Sequence, residues 1–360
     1  MTTTIAAWLH DIDPFAIRIS GAFGIRWYGL SYALGFYLGW VALRFLQKRG
    51  AAIIPRERVT DAIIYAAFGA VVGGRLGYVL FYQPSLLWMF ESSPPFWGVF
   101  MLNHGGMASH GGMIGVIIAG YLVSRGLKNE QGQRVGAVSP FHVFDLYALI
   151  APFGLFLGRL ANFVNGELLG KVVAQPGEDA PWWAVRFPQE IYSGHDIGLR
   201  TEAQDIQLES LINNYRLPDQ PPTMGLEMLI EKVQSGSAEA AQQIEPLISA
   251  RHPSQLYQAL AEGVVLGLII WIVARKPHRP GVIMALFLIC YGVMRIATEF
   301  VRLPDPGISG LAGLSRGQLL STGMIIAGAA ILLWTRSRNA SPVGGWATGA
   351  EVSASAPHDH

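Results

Sequence analysis

FHVFDLYALIAPFGLFL (residues 141–157) runs directly into GRLANFVNGELLG (residues 158–170). The first stretch is apolar enough to lie in lipid. Its continuation places Arg159, Asn162, Asn165 and Glu167 at or near the end of that run. Ionisable groups at membrane depth are costly, so they mark a site or a structural pair. The rest of the chain reads as a frame that brings further polar groups to this place.

Composition agrees. The 360 residues are 51% hydrophobic and only 14% charged, with a mean hydropathy of +0.34. Soluble domains carry about 25% charge, so the composition is that of a membrane protein. A net charge of +1 offers no field for nucleic acid. The single cysteine, Cys290, excludes an internal disulfide framework and a Cys-based zinc site. The 42 glycines suit close approach of membrane helices. The start of the chain lacks a basic segment, and Asp11 and Asp13 precede any long apolar run, so no cleaved signal peptide is expected.

A spanning helix needs roughly 20 apolar residues. Seven candidates meet this, near 26–46, 61–82, 107–124, 141–158, 256–274, 281–301 and 318–336. The expected fold is therefore an all-α polytopic integral membrane protein of about seven transmembrane helices, with an extracytoplasmic loop or head. Lys48, Arg49, Arg56 and Arg58 follow the first span, Arg125, Lys128 and Arg134 the third, Arg275, Lys276 and Arg279 the fifth, and Arg336 and Arg338 the last. Residues 83–109 contain no lysine or arginine. The positive-inside rule then predicts an outer N-terminus and a cytoplasmic C-terminus. The chain divides into an interfacial arm (1–25), spans one to four (26–158), an extracytoplasmic head that begins with site residues (159–255), spans five to seven (256–336) and a disordered cytoplasmic tail (337–360).

This topology sorts the polar groups by depth. Tyr28 and Tyr32, Arg75, His110, Arg159, and Arg295, Glu299 and Arg302 come from five spans and fall near the same outer membrane face. Arg295, Glu299 and Arg302 share one helix face by their spacing. Alone, that triplet also fits a self-satisfied ladder at the lipid–water boundary. Glycines flank His110 in HGGMASHGG, so a ligand or helix can come close. His104 and His110 lack a third ligand at metal spacing, and no metal is expected. Asp145, at the other end of its span, reads as structural. Arginines at an interface suit a phospholipid phosphate, which guanidinium binds bidentately. A nearby histidine can take a proton from a nucleophile. No serine elbow or P-loop accompanies them. The residues point to an enzyme that moves a lipid group to an external acceptor. A flippase would instead predict polar groups at mid-membrane and repeat symmetry. A purely structural subunit would predict free replacement of His110 and Tyr28.

Six segments carry a family resemblance: WYGL (27–30), GGRLGY (73–78), SHGG (109–112), Gly158 through Glu167, RHPSQLY (251–257) and RIATEF (295–300). In this order they resemble the prolipoprotein diacylglyceryl transferases. The resemblance implies a multi-pass enzyme of the bacterial plasma (inner) membrane, acting at its outer face. Its partners would be phosphatidylglycerol, the lipid bilayer and prolipoprotein signal peptides with a lipobox cysteine. It would move the diacylglyceryl group to that thiol and release glycerol phosphate, the first step of lipoprotein maturation, without metal or organic cofactor. His110, Arg159, Arg295, Glu167 and Tyr28 are the implied catalytic positions. Arg159, Asn162, Gly170, Arg295, Glu299 and, with them, Arg75 are the expected substrate-binding positions. Residues 195–248 match no segment of the family pattern and look longer and more polar than usual.

Overall fold

The computed structural model describes residues 7–20, 23–92, 95–101, 106–128, 131–303 and 315–347. His104 and the tail beyond residue 347 lie outside them. Helices dominate: α1 (Trp27–Lys48), α2 (Val59–Phe81), α3 (Ser109–Ser124), α4 (Pro140–Asn165), α5 (Glu202–Asn214), α6 (Pro222–Gln234), α7 (Ala238–Ile244), α8 (Ser254–Gln258), α9 (Leu266–Val273), α10 (Val282–Glu299) and α11 (Arg316–Ser337). A π-helical turn, Ala259–Val265, joins α8 to α9. Among the described residues, six helices are long and apolar enough to cross a membrane. The seventh expected span, α3, has 16 residues, about 24 Å at 1.5 Å per residue. It falls a little short of a full crossing.

Two compact units can be distinguished. The first comprises Met1–Leu34, Gly154–Val265 and Tyr291–Gly323, and the second Gly35–Phe153, Leu266–Cys290 and Met324–His360.

In the first unit short strands accompany the helices, and the segment before α1 forms three of them. Here β1 (Trp8–Leu9) is followed by a hairpin of β2 (Phe15–Ser20) and β3 (Phe23–Arg26). β4 (Leu127–Lys128) and β5 (Arg134–Val135) pair separately in the second unit, and β1 joins β6 (Val172–Ala174), β7 (Val185–Arg186) and β8 (Ala250–Arg251) in a small sheet of order β1-β7-β8-β6. These strands are two to six residues long, too short for a hydropathy pattern to reveal. Residues 202–244 form a three-helix lobe. Thr201 opens α5 with a capping box to Gln204, which satisfies two orphan N–H groups. Leu208 and Leu211 of α5, Leu229 and Val233 of α6, and Ala240 and Ile244 of α7 form its buried core.

In the second unit α2 and α3 pack backbone against backbone. A Cβ added at Gly115 would lie 1.9 Å from the Gly69 carbonyl oxygen, and one at Gly73 would lie 2.3 Å from that of Gly111. Backbones in such contact admit only glycine, the usual small-residue solution for membrane helices. Asp145 accepts the backbone N–H groups of Gly281 and Met284, at 2.7 Å each. A carboxylate from α4 thus caps α10, the structural role expected for it. The expected disorder from Ser337 does not hold as far as residue 347. Val343 pairs with His278, and the Trp346 indole N–H donates to the Trp271 carbonyl at 2.9 Å. A tryptophan and a β-branched residue give this small, polar stretch enough apolar surface to dock.

Candidate active site

The helix α4 does not stop at the end of its apolar run. It continues through Asn165 and ends where Gly166 takes a positive φ of 64°, a conformation glycine adopts without strain. Arg159 and Asn162 are therefore helical residues one turn apart, not loop residues. Beyond the end, Leu168 holds a φ of 55°, costly for a residue with a Cβ. This sharp reversal turns Glu167 back on the helix. Its N–H donates to the Asn162 carbonyl at 2.9 Å, and its carboxylate receives Nδ2 of Asn162 at 3.2 Å and of Asn165 at 3.4 Å. Asn162 Nδ2 also reaches the Tyr28 hydroxyl at 3.3 Å. Tyr28, Asn162 and Glu167 are one connected group.

Arg159 makes a different connection. Its Nε and Nη2 donate to Glu262 Oε2 at 3.1 and 2.9 Å. The Glu262 side chain is fully buried, whereas that of Arg159 keeps 16% exposure. Glu262 lies in the π-helical turn, a distortion frequent at functional sites. Thr298 Oγ1 donates to its other oxygen at 3.4 Å, and the Tyr291 hydroxyl contacts Arg159. On α10, Arg295 Nη1 donates to Glu299 Oε2 at 2.5 Å, while Arg302 stands 3.6 Å from the same oxygen. Ser315 donates to Glu299 Oε1 at 2.9 Å. Gly317 packs against that carboxylate so closely that a Cβ would lie 2.8 Å from it.

Three guanidiniums thus face two carboxylates, and one positive charge is in excess when all five are ionised. Single breakage of a buried ion pair leaves a costly unpaired charge, so the carboxylates hold the arginines in place. Arg159 presents one edge to Glu262 while its remaining nitrogen, Nη1, is not used by that carboxylate. Such an array can bind a phosphate and stabilise charge that develops on its ester oxygen.

Glu262 was not among the residues expected from sequence. Its signal is a lone carboxylate inside an otherwise apolar run, LAEGVV (260–265). Glu190 was missed too, because it lies in a polar segment where a glutamate is unremarkable. Both Arg251 and Glu190 are fully buried, and Arg251 Nε donates to Glu190 Oε2 at 2.6 Å. The other two Arg251 nitrogens donate to the carbonyls of Gly170 at 3.2 Å and His195 at 2.9 Å. Ser249 supplies Glu190 with two more donors, at 2.8 and 2.5 Å. Gly170, expected at a substrate-binding position, has a backbone setting. It bridges to Arg302, and a Cβ there would lie 2.1 Å from the His252 carbonyl oxygen.

Arg75 and His110 belong to the second unit. Arg75 is buried and donates to the carbonyls of Val99 at 2.7 Å, Gly98 at 2.7 Å and Gly106 at 3.1 Å. Those three bonds make it a brace for the segment preceding α3, a different setting from that of a phosphate ligand. His110 is the second residue of α3, and its side chain is exposed. Its neighbour Gly111 is the residue in backbone contact with Gly73. The glycine packing of α2 and α3 therefore fixes where the His110 backbone stands.

The sequence model of the family described as prolipoprotein diacylglyceryl transferase matches residues 14–334. The phosphatidylglycerol–prolipoprotein diacylglyceryl transferase of Bdellovibrio bacteriovorus is 41% identical, over 96% of this chain and 98% of its own. The proteins of the same name from Rhodospirillum rubrum and Pseudomonas aeruginosa are 38% and 34% identical, each over 92% of this chain and 94% and 96% of their own. The chain belongs to the prolipoprotein diacylglyceryl transferase family.

Proposed function

We propose that the chain transfers the diacylglyceryl group of phosphatidylglycerol to the thiol of a prolipoprotein's lipobox cysteine. The relatives' names state the lipid and the acceptor protein. The observation that carries the reading is the Arg159–Glu262 pair. It holds a guanidinium at the polar end of a spanning helix, one turn before Asn162, which hydrogen-bonds Tyr28 of α1 and Glu167 beyond the helix end.

Arg159 and Arg295 bind the lipid phosphate. As the ester carbon–oxygen bond breaks, they stabilise the charge that collects on the departing glycerol phosphate. The acceptor is a thiol of pKa near 8.5, mostly protonated at neutral pH. His110 takes its proton, and the thiolate attacks the glycerol carbon bonded to the phosphoester oxygen. The carbon–sulfur bond forms as the carbon–oxygen bond breaks, leaving a thioether and glycerol phosphate. Glu262 and Glu299 orient the two arginines, and Tyr28 and Asn162 hydrogen-bond the lipid or the peptide. The basic loops support an outer N-terminus and a cytoplasmic C-terminus, with the arginines toward the extracytoplasmic face of the inner membrane.

The test combines purified protein, phosphatidylglycerol vesicles and a synthetic lipobox peptide. Glycerol phosphate released in step with a peptide heavier by one diacylglyceryl unit is the expected result. Lipid binding without any change in peptide mass would overturn it and favour a flippase. In His110→Gln, transfer that persists with an unchanged pH profile would remove the histidine as base and leave arginine electrostatics alone.

A further inference from the structure

Residues 195–248 have no counterpart in the six segments that carry the family resemblance, yet their helix α6 walls a cavity of about 870 Å³. Leu229 and Val233 of this helix pack into the lobe, while Ile230 faces the cavity. On that cavity face, Glu227, Glu231 and Gln234 follow one another at helical spacing and line the cavity. The opposite wall is the β2–β3 hairpin, which contributes Arg18 and Arg26, and the floor is the Asn165–Leu169 turn. Glu167, part of the Tyr28–Asn162 group, lines this cavity as well, so the two are continuous.

The charge of the walls selects the occupant. Arg18 is already held by Asp13 at 3.0 Å and by Glu231 at 2.7 Å. Arg26 lies over the Phe15 ring, 4.6 Å from its centroid. With Glu167 and Glu227 added, carboxylates outnumber guanidiniums around the space. That disfavours a phosphate and favours a cation. A cavity of this size lies within the range of ligand-binding clefts.

We infer that this cavity receives the extended segment of the acceptor polypeptide that follows its cysteine, and that Glu227 and Glu231 make it selective for basic residues there. The inference rests on the transferase reading, which supplies the peptide. The Arg18–Glu231 pair moderates the preference, because it neutralises one of the two selecting carboxylates.

The experiment uses the full chain, phosphatidylglycerol vesicles and three lipobox peptides. They are identical except for Lys-Lys, Ser-Ser or Glu-Glu immediately after the cysteine. Wild type is expected to favour Lys-Lys over Glu-Glu in kcat/KM by about tenfold, the scale of a few partly exposed charge contacts. In the Glu227→Gln/Glu231→Gln double variant the preference falls to within about twofold. Arg18→Ala frees Glu231 and raises the preference by about twofold to threefold. Equal use of the three peptides by wild type, or a preference that survives in the double variant, overturns the inference and leaves the transferase reading standing. No transfer to any peptide overturns both.

Discussion

Two buried arginine–glutamate pairs lie in the same unit of this protein, and they differ in one respect. Arg251 and Glu190 are both fully buried, and all three guanidinium nitrogens of Arg251 are bound within the protein. Arg159 meets an equally buried glutamate but keeps part of its own surface open. The first pair lies where β8 sits between β6 and β7, since Val172 and Val185 both register with Arg251. It ties the sheet to the backbone carbonyls of Gly170 and His195. The second pair ties only one edge of a guanidinium. A closed pair builds structure, and a half-open pair presents a charge. On the proposed reading, the half-open pair is the one that meets the lipid phosphate.

The largest effect should come from breaking the closed pair. Arg251→Ala leaves Glu190 buried without its partner and is expected to cost about 3–5 kcal/mol of stability. Thermal unfolding in detergent should show it as a large fall in Tm. A variant as stable as wild type would mean that the sheet does not depend on this pair.

A comparable effect is available through pH at His10, which is fully buried beside Phe163 and Phe187. Burial lowers its pKa from 6.5 to about 4. The folded protein therefore resists a proton that the unfolded chain accepts. Stability is complete above pH 6.5, falls as the pH drops toward 4, and levels off below. The full loss is about 3 kcal/mol by linkage. Unfolding measured across that window should show the slope in wild type and not in His10→Gln. An unchanged slope would assign it to the carboxylates.

A smaller change sharpens the open pair. Thr298→Val removes the second contact of Glu262 while keeping the side chain's shape. It should slow transfer by about twofold to tenfold, the range of one ordinary hydrogen bond. Tm should stay near that of wild type, and a loss of folding instead would class this contact with the closed pair.

How much of this was legible beforehand varied with the physics. The six long helices could be read because lipid demands an apolar run of fixed length. The end of α4 could not, because hydropathy falls at Gly158 while helical hydrogen bonding continues to the reversal at Gly166. Arg159, Arg295 and Glu299 stood out as charges at the edges of apolar runs. Glu262 was overlooked because a single carboxylate barely alters the mean hydropathy of its run. Arg75 was read as a ligand because a buried arginine looks alike in sequence whether it meets a phosphate or three carbonyls. The strands before α1 and the lobe of α5, α6 and α7 are set by short-range caps and long-range pairing, neither of which a hydropathy scan senses.

The most direct test of the distinction between the pairs is Arg159→Lys, assayed for diacylglyceryl transfer beside a Tm measurement on the same sample. Lysine keeps the charge that Glu262 needs but loses the planar fork that meets a phosphate. The expected result is a Tm close to wild type with transfer reduced by about 100-fold to 1,000-fold. Transfer at the wild-type rate from a folded Arg159→Lys protein would contradict the account. It would make this second pair as structural as the first.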